Sequence, residues 1–267
     1  MTTGSGRPSR NWTDLRTRLI TSALIGTAGI VAVLNGGIVF LIVAAVVSGV
    51  VVWEIARMCA PRFAARAAML GAISAAAVGF VPLLHESHAL ALGLVTPVLG
   101  FLAIPRRRLL FFGYSLAVEI ATFGLTIFRE DNGVLWLIWL ILVVMVTDVF
   151  GYFAGRYFGG PKFWPQVSPS KTWSGTAAGW ITAGLVGAVF LIFTTAGRDI
   201  VWISMLLSFS AQMGDISESW LKRRVGVKDS SNLLPGHGGL FDRFDGLLGG
   251  SLFLLVVAQF TPIPGLK

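Results

Sequence analysis

Apolar residues run along this chain in long blocks separated by short polar or basic breaks. Nine blocks read as bilayer-crossing helices: 19–34, 38–56, 67–84, 89–104, 109–128, 134–153, 175–196, 200–217 and 247–260. A crossing helix needs roughly 20 mainly apolar residues, so several blocks are ample and others short. Backbone polar groups find no water in hydrocarbon, so the Val, Ile and Leu runs predict helices rather than strands. The expected fold is all-α, a polytopic integral membrane protein with about nine transmembrane helices. We read residues 1–267 as one domain: a cytoplasmic polar tail at 1–18, mainly scaffold helices at 19–128, and catalytic helices and loops at 134–260. That division follows the polar residues, which are sparse in the first five blocks and frequent in the last four.

Composition agrees with the pattern. Hydrophobic residues make up 55% of the chain and charged residues 13%, where a soluble domain would carry about 25% charged. Nine crossings put all but three (Arg129, Arg198 and Lys267) of the 21 Lys and Arg residues on one side. Basic loops favour the cytoplasmic side, so the N-terminus is expected inside and the C-terminus outside. The net charge of +8 is then positive-inside bias and attraction to anionic lipid headgroups. Nucleic acid is not an expected partner, because no basic soluble domain is present to bind it. The single cysteine, Cys59, excludes an intrachain disulfide. The first block follows a basic N-terminus but lacks a convincing cleavage site and is followed at once by another, so it reads as a retained helix.

Charge inside so oily a chain is expensive and marks working positions. It concentrates between Gly214 and Asp245. On a helix, Asp215, Glu218, Ser219 and Lys222 fall at i, i+3, i+4 and i+7 and share one face. Asp242 and Asp245, three apart, begin the ninth block. Brought together, the two helix ends predict a four-carboxylate cluster at the cytoplasmic surface, suited to magnesium, a hard cation that takes carboxylate and phosphate oxygens. The loop between them carries Lys228, Asp229, Gly236, His237, Gly238 and Gly239. Its glycines permit close backbone approach to a ligand, and Arg223 and Lys228 can neutralise phosphates. His237 either serves a phosphate or satisfies loop backbone groups. Upstream, Asp148 needs a cation or a basic partner at its depth, and Gly151 and Gly155 form a small-residue face for a neighbouring helix. Lys171 and Thr172 stand at a helix start, which is both a natural phosphate site and an ordinary cap. Trp136, Trp139, Trp164 and Trp173 read mostly as headgroup anchors, as does Glu54 beside Trp53. Glu119 has no evident partner, and His85 and His88 fall in an outer loop.

The 214–245 run resembles the signature of the phosphatidate cytidylyltransferases, or CDP-diacylglycerol synthases. It shows Ser219-Trp220-Leu221-Lys222-Arg223, then Lys228-Asp229, Ser231, Leu234, His237-Gly238-Gly239 and Asp242-Arg243-Phe244-Asp245 in the family's spacing. The resemblance extends to Asp148 with Tyr152-Phe153-Ala154-Gly155-Arg156, and to Ser168-Pro169-Ser170-Lys171-Thr172. Ser170 and Ser174 depart from the family's usual Lys or Gly and acidic residue. The resemblance implies transfer of CMP from CTP to phosphatidate, giving CDP-diacylglycerol and pyrophosphate in phospholipid biosynthesis, at a multi-pass site in the inner membrane facing the cytoplasm. It implies Mg2+, held by Asp215, Asp242 and Asp245, with a second monovalent or divalent cation allowed. It implies catalytic roles for Glu218, Lys222, Arg223, Lys228, Asp229 and His237 beside those carboxylates. CTP or phosphate contacts are implied for Asp148, Ser168, Lys171, Thr172, Ser219, Gly238, Gly239 and Arg243. CTP, phosphatidate and the bilayer are the expected partners, and a homodimer is compatible with the family. Two rivals remain: a CTP-dependent polyprenol or phytol kinase, which would release CDP, and an ion-coupled transporter, which would place carboxylates at the midplane within inverted repeats.

Overall fold

A computed structural model describes the backbone of residues 12–81 and 86–258, with side chains from 19 to 81 and from 91 to 258. The start of the tail, His85, the side chain of His88 and residues 259–267 lie outside the described residues. The described helices are α1 (Trp12–Asn35), α2 (Gly37–Cys59), α3 (Ala64–Phe80), α4 (Glu86–Ala103), α5 (Arg108–Phe158), α6 (Trp173–Phe193), α7 (Ile200–Val225) and α8 (Phe241–Ala258). The described part of each of the nine apolar blocks falls largely on a helix, two of them on α5. Among the described residues, four helices, α2, α5, α6 and α7, are long and apolar enough to cross a membrane. Shorter apolar stretches occupy Leu19–Asn35, Ala64–Phe80 and Ala91–Ala103. The chain is thus a helical integral membrane protein.

α5 is two helices. Gly133 breaks it with φ 78° and ψ −178°, a left-handed conformation that glycine adopts without a Cβ penalty. The chain reverses there, because both ends of α5 lie at one end of the molecule. Near its start, the Tyr114 hydroxyl donates to the Ser217 carbonyl at 2.6 Å. Near its finish, Asp148 shares a cleft with Asp215, two residues before Ser217. At the opposite end, Arg129 Nε donates to the Val33 carbonyl at 3.0 Å, tying the reversal to the end of α1.

The helical expectation has one exception. Between α5 and α6 the chain forms an antiparallel hairpin of β1 (Lys162–Trp164) and β2 (Ser168–Thr172), with Lys162 opposite Thr172 and Trp164 opposite Ser168. Three core clusters hold the helices, one of them packing Leu41, Ala45, Ala77, Val78 and Phe123 between α2, α3 and α5. A second gathers Val51, Val52, Ile55, Phe111, Val118, Leu221 and Phe241 at the site end. The third gathers Leu137, Trp139, Leu140, Ile203, Leu207 and Leu254. Trp136 and Trp139 are buried here rather than anchoring at headgroups, and Trp139 Nε1 donates to Ser204 Oγ at 3.0 Å. Trp164 and Trp173 are about half exposed, as an interfacial residue would be. Further hydrogen bonds cross between helices, from Thr147 to Ser208 at 2.7 Å and from Trp180 to Gln212 at 3.1 Å. A Cβ on Gly175 would stand 2.5 Å from the Gly151 carbonyl, so α5 and α6 touch backbone to backbone beside the site.

Candidate active site

α7 carries the acidic face expected of it. Asp215, Glu218 and, from the first turns of α8, Asp245 each bring a carboxylate oxygen within 4.8 Å of the others. Glu218 is buried, and its Oε1 has no hydrogen-bond partner among the described residues. Three convergent carboxylates with an orphaned oxygen fit a hard divalent cation.

The fourth carboxylate does not join them. Asp242 accepts from Lys222 Nζ at 2.7 Å, from the Gly239 N–H at 2.7 Å and from the Ser230 N–H at 3.1 Å. Burial alone would raise the Asp242 carboxyl. Its contacts with Glu218, Lys222 and the Gly239 amide outweigh burial and hold it below the ordinary carboxylate range. The four-carboxylate cluster read from sequence is therefore a triad of Asp215, Glu218 and Asp245, with Asp242 turned to the loop. Lys222 stands between the two groups, 2.6 Å from Glu218 Oε2.

These residues floor a cleft of about 760 Å³. α5 contributes Asp148, Tyr152 and Arg156, and the hairpin contributes Lys162, Ser170 and Lys171. Lys171 Nζ lies 2.5 Å from Asp215 Oδ2. Thr172 is the N-cap of α6, its hydroxyl accepting from the Gly175 N–H at 3.2 Å. Ser174 donates to the Gly159 carbonyl at 2.5 Å and pairs with Thr172 Oγ1 at 3.0 Å. The unusual residue at 174 thus has a structural task, fastening the end of α5 to the start of α6.

The signature loop forms a second cavity of about 370 Å³, lined by Lys228, Asp229, Asn232, His237, Gly238 and Arg243. Gly236 and Gly238 take φ of 77° and 79°. The Arg243 guanidinium donates twice to the His237 carbonyl, at 2.7 and 3.2 Å. The His237 ring Nε2 meets Ser22 Oγ of α1 at 3.0 Å. Some sequence candidates stand apart from both cavities. Arg223 is exposed at the last turn of α7, and Ser168 is buried in β2. Ser219 reaches Asp215 at a long 3.4 Å. Gly239 packs against Ser230 and Glu54 too tightly to admit a Cβ. Glu119 is buried away from the cleft. One contributor was missed in the sequence, Ser22, which carries no motif; Glu54, read there as an interfacial anchor beside Trp53, is instead buried behind the signature loop. Glu54 is fully buried and takes hydrogen bonds from Ser230, Ser231, Leu240 and Phe241.

A family model described as the cytidylyltransferase family matches residues 16–261. A protein of Brucella melitensis biotype 1 named phosphatidate cytidylyltransferase is 33% identical over 265 residues, covering 94% of this chain and 96% of the relative. A protein of the same name from Staphylococcus aureus (strain COL) is 29% identical over 255 residues, covering 88% and 95%. The chain belongs to the cytidylyltransferase family.

Proposed function

We propose that this protein transfers the cytidylyl group of CTP to phosphatidate, forming CDP-diacylglycerol and pyrophosphate for phospholipid synthesis. The observation that carries the reading is the carboxylate triad set among Lys171, Lys222, Arg156 and Lys162 in one cleft at the site end of a membrane bundle. Acids and bases so arranged suit two polyanionic substrates, whose repulsion must be offset and whose geometry must be fixed. A phosphate oxygen of phosphatidate forms a bond to the α-phosphorus of CTP. The bond from that phosphorus to the bridging oxygen breaks, and pyrophosphate leaves with the electron pair. The nucleophile is already an anion, so no strong general base is required. Asp215, Glu218 and Asp245 would hold Mg2+, which supplies charge neutralisation on the phosphates. Lys171 and Lys222 hold the carboxylates in place, while Arg156, Lys162 and Arg243 face incoming phosphate from the cleft walls. Asp148 lines the same wall and completes the acidic side. A second cation and a homodimer belong to the same reading.

The helices would cross the inner membrane nine times, with α5 providing two crossings and the cleft opening to the cytoplasm. That orientation gives CTP access from water and phosphatidate access from the leaflet. The test is phosphatidate-dependent pyrophosphate release from purified protein given CTP and magnesium, with Asp215→Asn alongside. CDP-diacylglycerol formed by the parent and lost in the variant supports the reading. CDP in place of pyrophosphate would replace it with lipid kinase activity.

A further inference from the structure

We propose that Glu54 of α2 is a positioning residue that clasps the signature loop and sets the start of α8. This inference rests on the reading of the cleft as the active site. Glu54 Oε1 accepts from Ser231 Oγ at 2.5 Å and from the Leu240 N–H at 2.9 Å. Its Oε2 accepts from the Phe241 N–H at 2.7 Å and from Ser230 Oγ at 3.2 Å. Ser230 and Ser231 open the turn, and Leu240 and Phe241 close it, so one side chain fastens both ends. Between them lie Asn232, His237 and Gly238, which line the second cavity. Just beyond lie Asp242 and Asp245. Helices are usually capped by a residue next to their own first turn. Here the cap comes from a helix 186 residues away in sequence. It stands on a rigid element whose neighbours Val51, Val52 and Ile55 are fully buried.

The arrangement needs a carboxylate of this length. Four donors converge on two oxygens, and a carboxylate is the one side-chain end group that only accepts. In Glu54→Gln either amide orientation turns an NH2 toward two of the donors. Asp is one methylene too short to reach from a fixed helix. The clasp also continues into the site, because Ser230 Oγ lies 3.1 Å from Asp242 Oδ2, and the other oxygen of that carboxylate, Oδ1, holds Lys222. Glu54 lines neither of the two cavities and so acts through the loop.

The test compares parent, Glu54→Gln and Ser231→Ala as full-length proteins in detergent. Amide hydrogen exchange is followed over 228–245 and over 200–217, and steady-state kinetics are measured with CTP and phosphatidate. For Glu54→Gln, exchange over 228–245 should rise about tenfold or more and KM for CTP about tenfold, with a smaller fall in kcat and 200–217 unchanged. Ser231→Ala keeps the carboxylate and should show about a threefold version of both effects. Parental exchange and KM in Glu54→Gln overturn the proposal, as does faster exchange spread equally over 200–217. If Glu54→Gln does not fold, parental behaviour of Ser231→Ala overturns it. A parent that forms no CDP-diacylglycerol overturns the reaction assigned to the cleft, while the exchange data still decide whether Glu54 clasps the loop.

Discussion

At the scale of single residues, chemistry follows from which carboxylate meets which cation. On the proposed reading the triad holds Mg2+, so Asp245→Asn and Glu218→Gln should each lower turnover by ~10²–10³-fold while the protein stays folded. Steady-state rates at saturating CTP check this. Lys222 has a different burden. It lies between Glu218 and Asp242, whose side chains are 1% and 9% exposed. Lys222→Met would leave both without their cation, a loss of ~3–5 kcal/mol typical of breaking a buried pair. Thermal melting in detergent reads it, and adding Glu218→Gln should recover part of the loss. Helix periodicity made the acidic face of α7 legible in the sequence. It put Asp242 with Asp215 and Asp245 where the convergent carboxylate is Glu218, since that depends on how the first turn of α8 is rotated against α7. Glu54 was less legible still, because its partners lie at 230, 231, 240 and 241 and sequence spacing carries no information over such a distance.

At the scale of elements, the cleft depends on α5 and α6 meeting without side chains between them. Gly175→Val should force them apart at Gly151, and the monodisperse fraction on size exclusion should fall sharply. Ser174→Ala should be milder, costing ~1 kcal/mol through the lost bond to Gly159. The helices were legible because apolar blocks of spanning length have few alternatives in lipid. The hairpin was not. Its segment is short and rich in Pro, Ser and Lys, and its pairing is fixed by the two helices it joins. Trp136 and Trp139 were misread for a related reason: a tryptophan near a span end looks interfacial until a neighbouring helix covers it.

For the whole molecule, contacts at residues 114, 217 and 22 gather at one end and contacts at 33 and 129 at the other. That alternation gives the orientation a direct test. The one native cysteine, Cys59, is buried, so a second cysteine reports cleanly. Cysteine placed at Lys162 should react with a membrane-impermeant maleimide only in inverted vesicles, and cysteine placed at Asp131 only in intact spheroplasts. The reversed result would turn the protein over. The basic residues predict this orientation, because Arg156, Lys162 and Lys171 of the cleft fall on the same side of the nine-crossing reading as most of the chain's lysines and arginines. The reversal at Gly133 has one more consequence. Among the described residues, the far-end connections are Gly36 alone, Gly133 alone and the short stretch 194–199. On the proposed orientation, an external protease would meet little chain to bind and cut at these three turns. Antibodies and affinity tags face the same short turns there, so an epitope inserted at one of them will be tolerated less well than one in the longer connections on the side where the enzyme works.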